Sequence, residues 1–392
     1  MSITLDFRFI SPASRVFVGR DVLAQLPREV GRLGVGRVMV VCAPSVVRQQ
    51  TLLKRIESLL GSALVAVFDG VQKESPLPAV EAGVELARRA QPDAILAVGG
   101  GSTVVTARAI TILLAERRPA HELATQYPPG QPPVSPRLEW PKLPNLVVPT
   151  TPNTAVNRGG AAVLDPETRH RLEFFDPKTR PAAVFLDAEA LLSAPPAVSV
   201  RAAVAAFTGA VNAFTSRPLN PFALADLRTA LELLKDTIPA VLERPDEAEP
   251  RLGAACAALL SNRAADALAG GGGGVVSALV HQIQSRYDHI DQGTASAVLL
   301  VPGLRFNRPV TLQAQLRLVP ILGAEPSADG LDRWVDGFLG RLGFPRRLRE
   351  LGISEGELPA LAEAAMHDFF LQGNPRRVKG PAELVDLLKA AW

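Results

Sequence analysis

A glycine-rich turn is the pattern in this sequence that most clearly carries chemistry. The run DAILAV ends in Gly99-Gly100-Gly101-Ser102, and the segment after it is typical of a helix. Glycines let the backbone approach a phosphate closely, and a helix N-terminus offers free N–H groups and partial positive charge. Ser102 could cap the helix or bond a phosphate oxygen. We interpret the turn as a phosphate- or dinucleotide-binding site, although its spacing is not G-x-G-x-x-G; a tight turn that needs positive φ is the alternative.

Hydroxyl side chains after neighbouring strands extend this candidate site. Thr150, Thr151 and Thr154 follow the apolar run NLVV, and Ser75 lies in the loop after ALVAVF. Ligands of α/β sheets bind at the carboxyl ends of the strands. We therefore predict that these four residues bind the cofactor together with the glycine turn. Helix capping by the threonines and an ordinary surface position for Ser75 are the alternatives.

Composition restricts the class of protein. The chain has 392 residues, of which 47% are hydrophobic and 21% charged, with a formal net charge of +3. This length suits two domains, and the balance excludes wholesale disorder. Basic and acidic residues are interspersed, so we predict no nucleic-acid partner. The apolar runs fall short of the roughly 18 residues that a membrane span needs, so we predict no membrane association.

The N-terminal residues and the cysteines indicate a compartment. The opening MSITLDFRF carries charges where a secretory signal has apolar residues. Cys42 and Cys256 lie far apart in apolar contexts, which is typical of buried thiols in a reducing environment. We therefore predict a cytoplasmic protein.

The elements that position these motifs alternate between strand and helix in the first half of the chain. Apolar runs of about six residues, separated by amphipathic segments of roughly 10–15 residues, indicate a parallel sheet covered on both faces. The predicted strands are Arg15–Val18, Arg37–Cys42, Ala63–Phe68, Asp93–Val98, Asn145–Pro149 and Ala183–Leu186, and the predicted helices are Asp21–Leu33, Ser45–Leu60 and Pro78–Ala90.

Helical patterns dominate the second half of the chain. The predicted helices there include Ser199–Phe214, Pro221–Leu242, Ala254–Leu268, Val275–Arg286 and Ala297–Phe306. We therefore predict an α/β N-terminal dinucleotide-binding domain over residues 1–188 and an all-α C-terminal domain over residues 189–392, with a cleft between them as the default ligand site.

Taken together, the motifs resemble the iron-containing alcohol dehydrogenase superfamily, and within it the maleylacetate reductase-like branch. The resemblance is carried by RVFVGRDVLAQLPREVGRLG, AVGGGS, VVPTTPNT, FFDPKTRPAAVFLDAEALL, TSRPLNPFALADL, HQIQSRY, LLVPGLRFN and the terminal NPR. It implies the dehydroquinate synthase-like fold of that superfamily, a homodimer, and hydride transfer from NAD(P)H.

The metal-ligand positions of the family depart from its pattern in this chain. The resemblance places the family's metal-binding Asp and first His at Ala205 and Gly209, and two later His ligands at Ser277 and Gln292. Ala and Gly side chains supply no donor, and Ser and Gln are poor ligands for Fe²⁺ or Zn²⁺. We therefore predict that the chain holds no metal.

A further active-site histidine of the family matches at His281, and a family Glu falls on Asn212. His281 lies one helical turn beyond Ser277, so both side chains would face the same side. An imidazole there could polarise a carbonyl or protonate an alkoxide. We predict His281, Ser277 and Asn212 as catalytic residues; the alternatives are a hydrogen-bonded core histidine and plain polar helix residues.

Charged and imidazole side chains are candidates for substrate binding. Arg171 falls at a family lysine position near the nicotinamide, and Arg286 and His289 follow His281 closely. Arginine binds carboxylates by paired hydrogen bonds, which suits an anionic keto acid. We predict that Arg171, Arg286 and His289 bind the substrate, with solvated surface charges as the alternative for the arginines. His289 with Asp291 could instead cap the end of the helix Val275–Arg286 or, with His281, bind a metal weakly.

The resemblance also bears on the cofactor. The acidic residue that would contact the ribose 2′-OH falls on Ala43, so no charge rejects a 2′-phosphate. The family's Asp and Lys after the glycine turn fall on Val105 and Arg108. The glycines at Gly270–Gly274 could allow close approach of a ligand or act as a hinge. NADH and NADPH both remain open.

These observations predict a metal-independent NAD(P)H-dependent reductase of a small carbonyl compound, such as a keto acid of the maleylacetate type. A non-redox enzyme of lyase or isomerase type on the same scaffold is one alternative, because a fold does not fix a function. A catalytically silent nucleotide-binding protein is another. The retained glycine turn and threonine-rich loop speak against a complete loss of ligand binding.

Overall fold

The structure, a computed structural model, describes residues 3–9, 13–128, 133–216, 218–268 and 273–392. It divides into two units, which we name the sheet unit (Ser11–Pro195 with Asp246–Ala255) and the helical unit (Met1–Ile10, Pro196–Pro245 and Cys256–Trp392). The boundary predicted at residues 188 and 189 stays a prediction. Most of the glycine run, Gly270–Gly272, lies outside the described residues.

The strands all belong to the sheet unit in the part of the chain that the structure describes. They are β1 (Arg15–Gly19), β2 (Val38–Cys42), β3 (Leu64–Phe68), β4 (Ala94–Gly99), β5 (Asn145–Pro149), β6 (Gly160–Leu164), β7 (Arg171–Phe175) and β8 (Ala183–Asp187). Within these residues, six strands pair in parallel in the order β1-β8-β5-β4-β2-β3. Every residue of β2, β4, β5 and β8 is buried, as expected for a parallel sheet covered on both faces. The six predicted strands are therefore confirmed.

The helices of the sheet unit include one that the sequence analysis joined wrongly. They are α1 (Leu26–Leu33), α2 (Pro44–Gln49), α3 (Thr51–Leu60), α4 (Leu77–Ala90), α5 (Gly101–Glu116), α6 (Ala120–Leu123) and α7 (Ala188–Leu192). The single helix predicted over Ser45–Leu60 is wrong, because Gln50 has φ +60° and separates α2 from α3. The antiparallel hairpin β6–β7 was not predicted.

The helical unit is built from longer helices than the sequence predicted. The remaining helices are α8 (Pro196–Ser216), α9 (Pro221–Glu243), α10 (Ala248–Asp266), α11 (Gly274–Arg286), α12 (Gln292–Leu322), α13 (Ala328–Arg341), α14 (Leu358–Ala365), α15 (Phe369–Gln372) and α16 (Pro381–Ala391). Residues of α10 up to Ala255 belong to the sheet unit. The fold class predicted from the sequence, an α/β domain plus an all-α domain, is confirmed.

Helix α8 is the core helix of the helical unit. Among the described residues it is the one helix long and apolar enough to cross a membrane by composition, and 67% of its most apolar window is buried inside the protein. Burial of this kind is expected for a central helix surrounded by others. α8 packs against α9, α11 and α12, and it carries Ala205, Gly209 and Asn212 on one stripe at spacings of four and three residues.

Candidate functional site

The glycine turn joins β4 to α5 at the edge where the strands of the sheet end. Gly100 is the N-cap of α5, and the Val104 N–H donates to the Gly100 carbonyl at 3.2 Å. The N–H groups of the first turn have no partner within the helix, as at any helix N-terminus, and they favour a phosphate. Ser102 lies inside this turn and does not occupy the capping position suggested for it.

The three glycine positions of the turn differ in whether the surrounding protein leaves room for a Cβ. Gly99 has φ +154°, and a Cβ there would lie 2.4 Å from Thr103 Oγ1 and 3.1 Å from the Ala43 Cβ. A larger residue therefore does not fit at Gly99. A Cβ at Gly100 would lie 3.5 Å from the nearest heavy atom, and one at Gly101 3.7 Å, which are ordinary contacts. The protein's own packing thus requires glycine at the first of these positions.

The loop after β5 lies against the glycine turn. The Thr150 N–H donates to the Gly99 carbonyl at 3.0 Å, and Thr151 Oγ1 is the closest neighbour of a Cβ built on Gly100. Asn153, which the sequence analysis did not select, lies closest to Gly101 and donates from Nδ2 to the Thr151 carbonyl at 3.2 Å. The structure therefore brings together the glycine turn, Thr150 and Thr151.

Thr154 lies at the far end of this loop. It is partly buried, and its carbonyl accepts a hydrogen bond from Arg158 Nε at 2.8 Å. Arg108 of α5 holds the same loop, donating to the carbonyls of Ala155 at 2.9 Å and Gly160 at 2.7 Å. Arg108, noted in the sequence as a departure from the family pattern, thus connects α5 to the segment after β5.

Strand order places this edge at the reversal point of the sheet. The chain passes from β2 to its neighbour β3 on one side and then returns to place β4 on the other side of β2. Ligands of open α/β sheets bind outside the carboxyl ends of strands at such a point. Ala43 follows β2 and the glycine turn follows β4, so both motifs lie at this position.

Ser75 is close to the turn but is engaged with the protein. Only 1% of the residue is exposed, so the alternative of an ordinary surface serine is wrong. Its Oγ donates to the Ser102 carbonyl at 3.0 Å and accepts from Thr106 Oγ1 at 3.0 Å. Ser75 therefore supports the first turn of α5 directly.

Arg171 begins β7, on the hairpin of the sheet unit. Its guanidinium forms an ion pair with Glu74, which precedes Ser75 and has φ +60°. This pair joins the hairpin to the loop after β3. The guanidinium predicted to bind substrate is thus partly occupied by a carboxylate of the protein itself.

In the helical unit, His281 forms a buried pair with Asp368. The two are 7% and 8% exposed, and His281 Nδ1 lies 2.9 Å from Asp368 Oδ2. Asp368 is also the N-cap of α15, where Oδ1 accepts the Phe370 N–H at 3.0 Å. The Phe370 ring lies edge-on to the imidazole, with centroids 5.3 Å apart. Asp368 was not predicted as a site residue, because 87 residues separate it from His281 and its one local signal, a cap before a short helix, points to structure.

Ser277 and Asn212, the other two predicted catalytic residues, lie on α11 and α8. Ser277 precedes His281 by one turn of α11, and Asn212 lies on α8, against which α11 packs. Asn212 Nδ2 is buried and has no hydrogen-bond partner among the described residues. No hydrogen bond joins these three side chains in the part of the chain that the structure describes.

The other imidazole and the nearby charges have separate roles. His289 Nε2 lies 3.1 Å from the Leu351 carbonyl, to which it donates. Asp291 caps α12, accepting from the Thr294 N–H at 2.9 Å, and forms an ion pair with Arg201 at 3.1 Å. Asp291 therefore caps the start of α12 and not the end of α11, where the capping alternative places it. Arg286 is exposed in the last turn of α11.

The positions that the resemblance assigns to metal ligands do not fit a divalent cation. Ala205 offers a methyl group, and Gly209 offers no side chain, with no heavy atom within 4 Å of where its Cβ would be. Asn212, next on this stripe, is neutral. No group of three or more His, Cys, Asp or Glu side chains among the described residues could hold a metal. Neutral amides and hydroxyls are weak ligands for Fe²⁺ and Zn²⁺.

Comparison with known proteins agrees with this architecture. Family models described as iron-containing alcohol dehydrogenase and as the C-terminal part of the Fe-containing alcohol dehydrogenase family match residues 13–188 and 199–392. Lactaldehyde reductase of Escherichia coli is 27% identical over 387 residues, covering 95% of this chain and 97% of that protein. Maleylacetate reductase 1 of Cupriavidus pinatubonensis is 26% identical over 381 residues, covering 97% and 94%.

A solved structure shows the same fold. The iron-containing alcohol dehydrogenase of Thermococcus thioreducens superposes with a TM-score of 0.85 at 23% identity, covering 98% of this chain and 99% of that one. Fold and relatives together define an oxidoreductase. The chain belongs to the iron-containing alcohol dehydrogenase family, and maleylacetate reductases are among its relatives there.

Proposed function

We propose that this protein is an NAD(P)H-dependent reductase of a small carbonyl compound and that it works without a resident metal. The observation that carries the proposal is the buried His281, fixed at Nδ1 by Asp368, in a unit whose family metal positions are Ala205 and Gly209. An imidazole can supply the polarisation and the proton that a carbonyl reduction needs.

The cofactor is proposed to bind at the glycine turn of the sheet unit. Packing within the protein explains glycine at Gly99 but not at Gly100 and Gly101, and close approach of a pyrophosphate would explain the other two. The backbone N–H groups that begin α5 would hold the phosphates, with Thr151 and Asn153 beside them. Ala43 carries no negative charge that would repel a 2′-phosphate, so neither NADH nor NADPH is rejected at this position by charge.

The proton is proposed to come from His281. Because Nδ1 is taken by Asp368, the ring nitrogen left for a substrate is Nε2. Nε2–H of the protonated ring would donate to the substrate carbonyl oxygen and transfer its proton as that oxygen becomes an alkoxide. The unused Asn212 Nδ2 would donate a second hydrogen bond to an oxygen of the substrate, and Ser277 lies on the same side of α11 as His281. The cofactor, when bound, supplies the hydride.

A keto acid of the maleylacetate type is the proposed substrate class. Two of the predicted substrate-binding side chains have partners in the protein, since Arg171 is paired with Glu74 and His289 donates to the Leu351 carbonyl. Arg286 is exposed five residues beyond His281, and its charge acts on the Glu357 carboxylate. It is therefore our first candidate for binding a carboxylate.

The test uses purified, chelator-treated protein with its metal content measured. NADH and NADPH are titrated by calorimetry, and oxidation of the bound cofactor is followed with a panel of keto acids, aldehydes and ketones. We expect binding and turnover without added metal. Turnover that requires Fe²⁺ or Zn²⁺ would overturn metal independence. Binding without turnover on any substrate would favour a silent nucleotide-binding protein, and absence of binding would favour a non-redox enzyme.

His281→Ala tests the proton donor. We expect kcat to fall by roughly 10²–10⁴-fold, the usual contribution of general acid–base catalysis, with cofactor affinity unchanged. His367→Ala is the matched control, since this histidine lies beside Asp368 in sequence but does not contact it through its ring in any described interaction. An unchanged kcat in His281→Ala would remove the proposed role.

Location and assembly are proposed from the sequence features and the family resemblance. We propose a cytoplasmic homodimer that acts on a small molecule and binds neither nucleic acid nor membrane. Light scattering of the purified protein at several concentrations measures the oligomeric state, and a monomer at all of them would contradict the dimer.

A further inference from the structure

The Asp368 carboxylate contacts both the His281 ring and the first turn of α15. Oδ2 faces His281 Nδ1 at 2.9 Å and lies 3.4 Å from Gln282 Nε2, while Oδ1 accepts the Phe370 N–H at 3.0 Å. Each carboxylate oxygen therefore has donors around it. Both side chains are more than nine-tenths buried, so water does not easily replace either contact.

The arrangement determines which ring nitrogen of His281 carries the proton when the ring is neutral. An ionised carboxylate can only accept hydrogen bonds, so Nδ1 must donate to it. The neutral ring then has its lone pair on Nε2, and the protonated ring has its second N–H there. The Phe370 ring, edge-on at 5.3 Å between centroids, limits rotation of the imidazole.

We infer that Asp368 is the positioning residue for His281: it holds the imidazole with its proton on Nδ1 and so reserves Nε2 for proton exchange with the substrate. The role in proton exchange with the substrate rests on the proposed function. The position of the ring proton on Nδ1 does not. Because Asp368 also begins α15, folding of that short helix sets the ring orientation.

Replacing Asp368 by Asn separates the charge from the cap. Asparagine caps helices about as well as aspartate, so it can keep the hydrogen bond to the Phe370 N–H with its single oxygen. Its NH₂ group then faces His281 Nδ1, and the neutral ring must move its proton to Nε2 to accept from it. The same exchange of carboxylate for amide in a Ser-His-Asp triad keeps the geometry and leaves the wrong tautomer.

The experiment measures the tautomer and the kinetics in the same proteins. The chain has five histidines, so ¹⁵N-histidine-labelled protein gives a simple spectrum in which His281 is assigned by its loss in His281→Gln. In the wild-type protein, at a pH where the ring is neutral, we expect the proton on Nδ1. In Asp368→Asn we expect it on Nε2, with kcat lowered by about 10²-fold and KM within a factor of about two.

Two comparisons keep the outcome clear. Asp291→Asn changes another capping aspartate of the helical unit, which bonds Thr294 instead of a histidine, and should leave the His281 tautomer and kcat unchanged. Adding Asp368→Asn to His281→Ala should lower kcat no further, because the positioning residue acts through the ring.

The possible failures are distinguishable. A wild-type His281 with its proton on Nε2 overturns the inference whether or not any variant folds. Unchanged kcat in Asp368→Asn, when His281→Ala loses activity, also overturns the positioning role while the proposed function stands. Unchanged kcat in His281→Ala removes the proposed function, and the tautomer in the wild-type protein still decides the structural part.

Discussion

Thr150 donates its backbone N–H to the carbonyl oxygen of Gly99 at 3.0 Å, which fixes the loop after β5 against the turn after β4. The two motifs are separated by about fifty residues of sequence, yet they meet at the point where the sheet reverses its strand order. A nucleotide bound there would contact both. The conformation of Gly99 is therefore critical for the fold and for the proposed cofactor site.

Gly99→Ala should weaken both cofactor binding and stability. Its φ of +154° is unfavourable for alanine, and the added Cβ would lie 2.4 Å from Thr103 Oγ1. We expect a loss of about 1–3 kcal/mol in the free energy of unfolding, measured in urea, and at least roughly tenfold weaker NADH binding by calorimetry. Gly31→Ala, in α1 with open space at its Cβ, is the control and should be neutral or slightly stabilising. Equal behaviour of the two variants would contradict the argument.

Asn212→Ala should lower activity and leave stability unchanged. Asn212 Nδ2 is buried without a partner among the described residues, so its removal leaves no broken hydrogen bond. We expect the free energy of unfolding to stay within about 0.5 kcal/mol of the wild-type value and kcat to fall by roughly 10²-fold.

Asn374→Ala is the matched comparison for Asn212→Ala. The Asn374 side chain accepts from the Val275 N–H at 3.1 Å and exchanges hydrogen bonds with Asn307 at 2.8 and 3.0 Å. Its loss should cost about 1–3 kcal/mol in the free energy of unfolding. An Asn212→Ala protein as unstable as Asn374→Ala would show that the amide has a structural role.

The sequence predicted what local pattern determines. Buried strands are continuous apolar runs, and α9 begins after Asn220, a typical capping residue whose Oδ1 accepts the Ala223 N–H at 2.9 Å. Helix α12 was predicted only over Ala297–Phe306, whereas the structure extends it over Gln292–Leu322 with Pro302, Pro309 and Pro320 inside it. Proline weakens a helix interior, so packing in the helical unit overrides that local preference. Of the site, the glycine turn and Thr150 were found together because strand ends meet at one edge. Asp368 could not be found, since its pairing is fixed by the tertiary packing of α15.

The thiol of Cys42, the last residue of β2, should be unreactive in the folded protein. Burial, with the nearby charges of Asp69 and Glu57, raises its pKa to about 12, and burial also raises the pKa of the Cys256 thiol. Because the thiolate is the reactive form and a raised pKa keeps the thiol protonated, labelling at about pH 8 should be slow at both cysteines. In guanidinium chloride, a disulfide reagent that releases a coloured thiol should report two reactive thiols per chain by absorbance. Fast labelling of Cys42 in the folded protein would contradict its burial.

Introducing the donors that the resemblance assigns to the family should create a metal site, since no group of three or more His, Cys, Asp or Glu among the described residues could hold a metal. Ala205→Asp and Gly209→His place a carboxylate and an imidazole four residues apart on α8, and the Gly209 Cβ direction holds no heavy atom within 4 Å, so a side chain can enter. Ser277→His and Gln292→His complete a set of one carboxylate and three imidazoles, which suits Fe²⁺ or Zn²⁺.

By calorimetry we expect the quadruple variant to bind one Zn²⁺ per chain and the wild-type protein to bind none with comparable affinity. The double variant on α8 should bind more weakly, because each lost ligand lowers affinity. Stoichiometric, chelator-resistant Zn²⁺ or Fe²⁺ in the wild-type protein would show that other groups hold a metal, and proton donation by His281 would then have to be reconsidered.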